Sequence, residues 1–277
     1  MIVDAHCHLW RRWPYPTPAP ADGATTRALL DTMAASGVAR AAIVAAAIDG
    51  SEAGAGNPDN NDDVAAVVAE HPGEFRMFAD VDSRWSGTYH RPGGAGRLEH
   101  EVARLGTRGF THYLADADDG WFETAEAAAF FSAAERLGLV ASLHAPPPWH
   151  RAVAGVARRH PELTVLLHHQ GLSRSDADLE SLLGLAGHPG IGVKVSGFRY
   201  VSEEGPPYRD VAARLERLAR AFGPERLAWG SDWPVSTAHH SYADALAFAA
   251  DALGFLDPSE RDRVFGGTAL SLLRWEP

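Results

Sequence analysis

Strand-like and helix-like segments alternate along the whole chain. Short apolar runs rich in β-branched residues recur, and each is followed by a stretch with helical spacing. Such alternation predicts parallel strands joined by right-handed crossovers, and eight repeats of the unit over about 250 residues match a closed (β/α)8 barrel. The eight strand runs are 2–8, 39–47, 75–81, 108–114, 140–144, 163–169, 192–197 and 226–232.

The segments between these runs have the spacing and stop signals of helices. Gly37, Gly106 and Gly138 stand just past helical runs, where a left-handed residue is favoured. We therefore predict helices at 25–36, 59–70, 97–105, 123–137, 149–160, 175–187, 208–222 and 240–253, and a last short one around 258–273.

An open, doubly wound sheet is the alternative arrangement for the same alternation. It is disfavoured because a histidine pair follows the first strand, where a GxGxxG motif would be expected. No linker, low-complexity segment or composition break divides the chain. The sequence therefore predicts one α/β domain, a distorted (β/α)8 TIM barrel, over residues 1–277.

The composition argues against several classes of partner. The formal charge is −11, the sequence pI is near 5.6, and no cluster of basic residues occurs, so nucleic acid and membranes are not expected as partners. A small-molecule ligand is expected instead, and a homodimer is left open. Cys7 is the single cysteine, and no leader or long apolar run is visible. These features predict a cytoplasmic protein.

Polar side chains stand at the predicted ends of the first and last strands. His6 and His8 are separated by one residue, so on a strand both imidazoles project from one face and can reach one divalent metal ion. Asp232 follows the last strand, and a carboxylate can act as a metal ligand or as a general base. A closed barrel would bring these groups to one mouth.

Three further histidines lie at strand ends. His144 closes strand five, and His168 and His169 close strand six. Each alone is as well explained as a hydrogen-bonded core residue, but their convergence on the barrel mouth favours a site. Because adjacent strand residues face opposite ways, only one of His168 and His169 is expected to point inward, and we favour His169.

The motifs resemble those of the metal-dependent hydrolases of the amidohydrolase superfamily. Within it, the chain is most similar to the branch of 2-pyrone-4,6-dicarboxylate lactonase and the sugar-acid lactonases. The motifs are VDAHCHLW at 3–10, VLLHHQG at 165–171, GVKVSG at 192–197, LAWGSDWP at 227–234 and VFGGTA at 264–269. They span the chain in the order expected for the family.

The resemblance implies a mouth that binds one divalent ion, zinc or manganese, although some members of the branch work without one. Mapped by motif, the metal ligands would be His6, His8, His144 and Asp232, and Asp232 would also carry the proton. His169 would be the second catalytic residue, a donor to the developing oxyanion. Strand four offers no lysine for carbamylation, so a binuclear site is not expected.

Aromatic and arginine residues follow several of the strands. Indoles suit a planar, partly apolar ring or a stacking sugar, and arginines suit a carboxylate. The predicted substrate-binding residues are Trp10, Arg84, Trp85, Trp121 and Arg199.

Together these features predict a hydrolase that opens a small cyclic ester by metal-assisted attack of water, with Asp232 as general base and acid. A decarboxylase of aromatic or enol carboxylic acids in the same superfamily is the nearest alternative. A barrel that has lost catalysis and only binds a ligand is a third. Lys194, on strand seven, resembles a structural lysine of this branch, and a buried lysine with a shifted pKa is the alternative.

Overall fold

Eight parallel strands form one sheet in sequence order, in a computed structural model that describes residues 1–21, 23–48 and 56–275. The prediction of an α/β barrel is therefore confirmed. The strands are β1 (Ile2–Cys7), β2 (Val38–Val44), β3 (Phe75–Asp80), β4 (Gly109–Tyr113), β5 (Val140–His144), β6 (Thr164–Leu167), β7 (Ile191–Val195) and β8 (Leu227–Trp229).

The barrel closes through backbone that lies beyond the end of β8. The amide of Asp232 donates to the carbonyl oxygen of His6 at 2.8 Å, and the amide of His8 donates to the carbonyl oxygen of Trp233 at 2.7 Å. Cys7 and Trp233 form a parallel bridge at the same place. This irregular closure distorts the barrel and sets the histidine pair beside Asp232.

Helices cover the outside of the barrel close to their predicted positions. They are α1 (Thr26–Ala35), α2 (Asn60–Glu70), α3 (Gly94–Leu105), α4 (Ala125–Arg136), α5 (His150–Arg159), α6 (Asp176–Leu183), α7 (Phe198–Val201), α8 (Val211–Phe222), α9 (Tyr242–Ala252), α10 (Pro258–Asp262) and α11 (Thr268–Leu272). The glycines at 37, 106 and 138 all have positive φ, as their role in ending helices requires.

Two helical details differ from the prediction. The short helix expected around 258–273 is divided into α10 and α11 by a wider turn at Arg263–Gly267. The loop after β7 contains the additional short helix α7, which carries Arg199 toward the barrel mouth.

Large aromatic side chains fill the layer between the strands and the helices. Phe110 on β4 is buried against Phe130 on α4, with ring centroids 5.3 Å apart, and Phe122 and Phe131 complete the cluster. Burial of such rings is a main source of folding free energy. No helix in the described part of the chain has the length and apolar character needed to span a membrane.

Candidate active site

A cavity of about 670 Å³ opens at the carboxyl ends of the strands. A larger cavity of about 810 Å³ lies between α2, α3 and the loop after β3, but it holds none of the predicted catalytic or metal-binding groups. The cavity at the mouth is lined by His8, Pro14, Tyr15, Pro16, Ala46, Ile48, Arg84, Trp85, Tyr113, Ala115, His144, His169, Arg199, Tyr200, Asp232 and Val235.

Three predicted metal ligands meet at the floor of this cavity. The Nε2 atoms of His6 and His8 are 3.2 Å apart, and each lies 3.7 Å from Oδ1 of Asp232. All three side chains are buried. Ligand atoms bound to zinc at about 2.0–2.1 Å in a tetrahedron would lie roughly 3.3 Å apart, so this donor set fits a single divalent ion.

Asp232 reaches the site because the chain turns sharply after β8. Its φ of 58° is left-handed, a conformation that aspartate tolerates better than most residues. Burial raises the pKa of the carboxyl, but the neighbouring His169, His8 and Arg199 outweigh that effect and lower the pKa. Within the described residues Oδ2 is buried with no hydrogen-bond partner, so it is free to accept a proton.

The second ring nitrogen of His8 fixes that residue's tautomer. Nδ1 lies 2.7 Å from the carbonyl oxygen of Val44, which can only accept, so Nδ1 carries the proton. Nε2 then presents its lone pair to the site. Metal-binding histidines are usually held in this way.

His6 is held from below by the buried Lys194. The Nζ atom of Lys194 is 3.1 Å from Nδ1 of His6 and 2.8 Å from Oγ of Ser142. Burial lowers the pKa of Lys194 to about 7, which makes the neutral amine accessible. The neutral amine can accept a hydrogen bond from the Nδ1–H group of His6, which leaves the lone pair of Nε2 free to bind a metal. Lys194 thus contacts the candidate site directly.

His168 and His169 both turn toward the interior of the barrel. The ring of His168 lies 4.5 Å from that of His6, and so does the ring of His169. The expectation that they would face opposite ways was wrong because His168 is still extended, whereas His169 has a left-handed φ of 47°. Strand alternation therefore no longer applies at His169.

The two neighbours nevertheless differ in their access to the cavity. His168 is fully buried, and its Nε2 is 2.7 Å from Oγ of Ser142. His169 lines the cavity, with Nε2 at 3.7 Å from Oδ1 of Asp232 and Nδ1 at 3.0 Å from Oγ of Ser196. Burial lowers the pKa of His169 to about 4, so the ring is neutral near pH 7.

His144 lines the cavity at a greater distance from the metal-binding group. Its ring is stacked on Tyr113 at 5.0 Å, and its centroid is 6.3 Å from that of His169. Burial lowers its pKa to about 3, and Nδ1 has no hydrogen-bond partner within the described ranges. Possible ligand atoms lie within 4.8 Å of one another in each of two groups. One group is His6, His8 and Asp232, and the other is His6, His168 and His169. Among the described residues, His144 belongs to neither group.

The predicted substrate residues divide into two sets. Arg84, Trp85 and Arg199 line the cavity. Trp10 lies behind it, stacked on His8 at 4.7 Å, with its indole N–H donating to the carbonyl oxygen of Ala46. Trp121 is buried outside the barrel mouth, where it stacks on His90 at 4.2 Å.

Three tyrosines that were not predicted as site residues also line the cavity. They are Tyr15 from the proline-rich loop after β1, Tyr113 at the end of β4 and Tyr200 on α7. Burial raises the pKa of each, so the phenols stay neutral through the physiological range. Tyr113 stands at a strand end, so the same signal that identified the histidines could have found it.

A histidine pair at the end of β1 and an aspartate after β8 meet at the mouth of an eight-stranded barrel. These are features of a hydrolase site that can bind metal. The family model described as Amidohydrolase matches residues 3–275, and the chain belongs to this family of enzymes. The resemblance inferred from the motifs is thereby confirmed.

Two curated relatives are lactone hydrolases. L-fucono-1,5-lactonase from Burkholderia ambifaria is 36% identical over 186 residues, which are 60% of this chain and 61% of that protein. 4-Sulfomuconolactone hydrolase from Hydrogenophaga intermedia is 32% identical over 107 residues, 36% of this chain and 34% of that protein. The alignments thus span less than two thirds of these relatives.

Solved structures share the fold over nearly the whole chain. An amidohydrolase from Burkholderia multivorans with bound zinc has a TM-score of 0.79 at 23% identity, covering 99% of both chains. A 2,6-dihydroxybenzoate decarboxylase from Rhizobium has a TM-score of 0.65 at 16% identity, covering 99% of this chain and 98% of that one. At these identities the structures establish the fold alone.

Proposed function

We propose that this enzyme hydrolyses a small lactone, with Asp232 as the group that takes and returns the proton. The observation that carries the proposal is the buried constellation of His6, His8 and Asp232, in which Oδ2 of Asp232 has no partner in the described chain. The similarity to two lactone hydrolases supports the reaction class.

The proposal includes one divalent ion, with zinc as the first choice and manganese as the second. His6, His8 and Asp232 would hold it, because their ligand atoms lie together. When bound, such an ion would polarise the lactone carbonyl or lower the pKa of water. We propose that His144, which lines the cavity but belongs to neither group of ligand atoms in the described chain, faces the substrate instead.

The protein's own side chains account for the proton movements. Oδ2 of Asp232 would accept a proton from the attacking water and pass it to the ring oxygen as the C–O bond breaks, leaving a hydroxy acid. If the Ser196 hydroxyl donates to Nδ1 of His169, Nε2 carries that ring's proton. It can then donate to the oxyanion, a contribution of about 2.7–4 kcal/mol for one such donor.

The cavity fits a small ring that carries an anionic substituent. Its volume of about 670 Å³ lies within the range of small-molecule sites. Arg84 and Arg199 both line it, and Nε of Arg199 is buried with no partner within the described residues. We propose a carboxylate or sulfonate on the lactone as the missing partner, while Trp85 and Tyr15 would face the ring.

A substrate screen with metal analysis tests this function. Purified protein would be assayed for ring opening against neutral and anionic lactones, with Asp232→Asn as the inactive control. If the unaltered protein releases acid from a lactone and Asp232→Asn does not, the proposal is supported. Release of CO2 from an aromatic acid without lactone opening would favour the decarboxylase, and ligand binding with no turnover would favour the binding barrel.

A further inference from the structure

A second histidine pair lies outside the cavity, between the loop after β3 and the end of β4. His90 stands in the loop and is partly buried, whereas His112 on β4 is fully buried. Their Nε2 atoms are 3.3 Å apart. Neither ring lines the cavity, and the proposed hydrolysis uses neither.

The outer nitrogens of the two rings have partners that can only accept. Nδ1 of His112 is 2.9 Å from the carbonyl oxygen of Val81, so it must donate. Nδ1 of His90 is 2.6 Å from a carboxylate oxygen of Asp119, so it must donate as well. With both rings neutral, two lone pairs would face each other across 3.3 Å. One additional proton converts that contact into an N–H···N hydrogen bond.

We propose that His90 and His112 share one additional proton, and that the resulting cation, bound to Asp119, positions the loop that carries Arg84 and Trp85. The second half rests on the proposed function, which assigns Arg84 and Trp85 to the substrate. His90 is thus a positioning residue, since it acts through the loop.

The loops after β3 and β4 are joined at two further points beside this pair. The amide of Ala115, a cavity-lining residue, donates to the hydroxyl of Tyr89 at 3.1 Å. Nη1 of Arg84 lies 3.3 Å from Oδ1 of Asp116. Because Tyr89 is the neighbour of His90 and Asp116 lies three residues before Asp119, loss of the central link would loosen both contacts.

The surroundings make the link sensitive to pH. Burial lowers the pKa of His90, while Asp119, Asp82 and Asp118 act to raise it, and the net direction is downward. Burial also lowers the pKa of His112, to about 4. The shared proton is therefore lost as pH rises.

Four other groups lie around the loop. Tyr89 stacks on His90, and the ring of Trp149 also contacts His90. Arg97 on α3 is paired with Asp82, and the carboxylate of Glu126 on α4 accepts the amide of Gly93.

The proton is tested by NMR of histidine ring nitrogens in the intact protein between pH 4 and 9. We expect one proton to titrate with signals from both His90 and His112, and Asp119→Asn to move that titration to lower pH. Asp118→Asn is the matched control, because each aspartate also accepts a backbone N–H that asparagine can still bind. Independent titration of each ring, or equal effects of the two variants, would overturn the shared proton.

The positioning role is tested by hydrogen exchange of residues 83–93 and by kinetics. We expect faster exchange in Asp119→Asn than in Asp118→Asn, and faster exchange in the unaltered protein above the pH of the titration. With an anionic lactone, KM should rise several-fold in Asp119→Asn while kcat changes little. Unchanged exchange would overturn the positioning role. Because this measurement needs no substrate, its outcome does not depend on whether the protein hydrolyses a lactone.

Discussion

Ser231 and Asp4 join the last strand of the barrel to the first. The amide of Ser231 donates to Oδ1 of Asp4 at 2.9 Å, and its hydroxyl donates to Oδ2 at 2.5 Å. Oδ1 also accepts the amide of His6, and Oδ2 accepts the hydroxyl of Tyr242, both at 2.9 Å. One buried carboxylate therefore holds the backbone beside both His6 and Asp232, although it lies outside the cavity.

Removal of this carboxylate should weaken the fold and the site together. We expect Asp4→Ala to lower the free energy of unfolding by more than about 3 kcal/mol, because it leaves several buried donors without a partner. Urea unfolding measures this. Asp31→Ala, which breaks an exposed ion pair with Arg27, is the control and should cost less than about 1 kcal/mol.

Asp4 should also give the stability a recognisable pH dependence. Burial raises its pKa from 3.8 to about 6, so between those values the folded protein binds more protons than the unfolded chain. Stability from this group is therefore lost as pH rises from about 4 to 6, by up to about 1.4 kcal/mol per pH unit. We expect Asp4→Asn to gain relative to the unaltered protein over that range, and a difference independent of pH would contradict the assignment.

Metal binding should depend on His8 and be independent of His144. The His8 side chain belongs to the compact ligand group with His6 and Asp232, whereas His144 does not in the described chain. We expect about one equivalent of zinc or manganese per chain, measured by elemental analysis after dialysis. His8→Ala should lose it and His144→Gln should keep it, with the exposed His100→Ala as control.

Loss of metal from His144→Gln would instead return His144 to the ligand set predicted from the motifs. Full occupancy in His8→Ala would remove the histidine pair from the metal site altogether.

Asp232 should matter for the chemical step more than for substrate binding. Asp232→Asn keeps the size of the side chain but cannot take a proton, so kcat for lactone opening should fall about 10²–10⁴-fold. Steady-state kinetics at saturating substrate measures this, and the metal content of the variant must be measured beside it. A variant that retains metal and full kcat would rule out Asp232 as the proton carrier.

Arg199 should select anionic lactones. Nη2 of its guanidinium donates to the hydroxyl of Tyr200 at 2.9 Å, yet Nε stays without a partner in the described chain. We expect Arg199→Met to raise KM for an anionic lactone by about 10- to 100-fold, because a hydrogen bond to a charged group contributes about 1.5–3 kcal/mol. A neutral lactone and the exposed Arg209→Met variant should show little change.

The strand positions were predictable because hydrophobic periodicity determines them directly. Each of the eight predicted runs overlaps one strand. The predicted run exceeds the observed strand most at 226–232, where β8 ends at Trp229. The excess has a physical cause, since the left-handed φ of Asp232 cannot continue a strand. Sequence spacing placed Asp232 at the mouth but could not show this turn.

Side-chain direction beyond a strand end was not predictable. Both His168 and His169 turn inward because the left-handed φ of His169 interrupts the alternation that the extended His168 still follows. Trp10 and Trp121 follow strands, as predicted, but pack behind His8 and against His90. Tyr15 comes from a proline-rich loop whose path across the mouth leaves no periodic signal. The assigned roles of all these residues in the site remain predictions.

The closure between Ser231 and Asp4 also has a consequence for biosynthesis. His6 and Asp232 are 226 residues apart (232 − 6), which a ribosome takes roughly 10–45 s to translate at about 5–20 residues per second. Throughout that interval the histidine pair of the nascent chain lacks both β8 and the carboxylate of Asp232, which complete the candidate site. A truncated or proteolytically cut product that lacks β8 should therefore be inert, and hydrolytic activity would report on barrels that have closed.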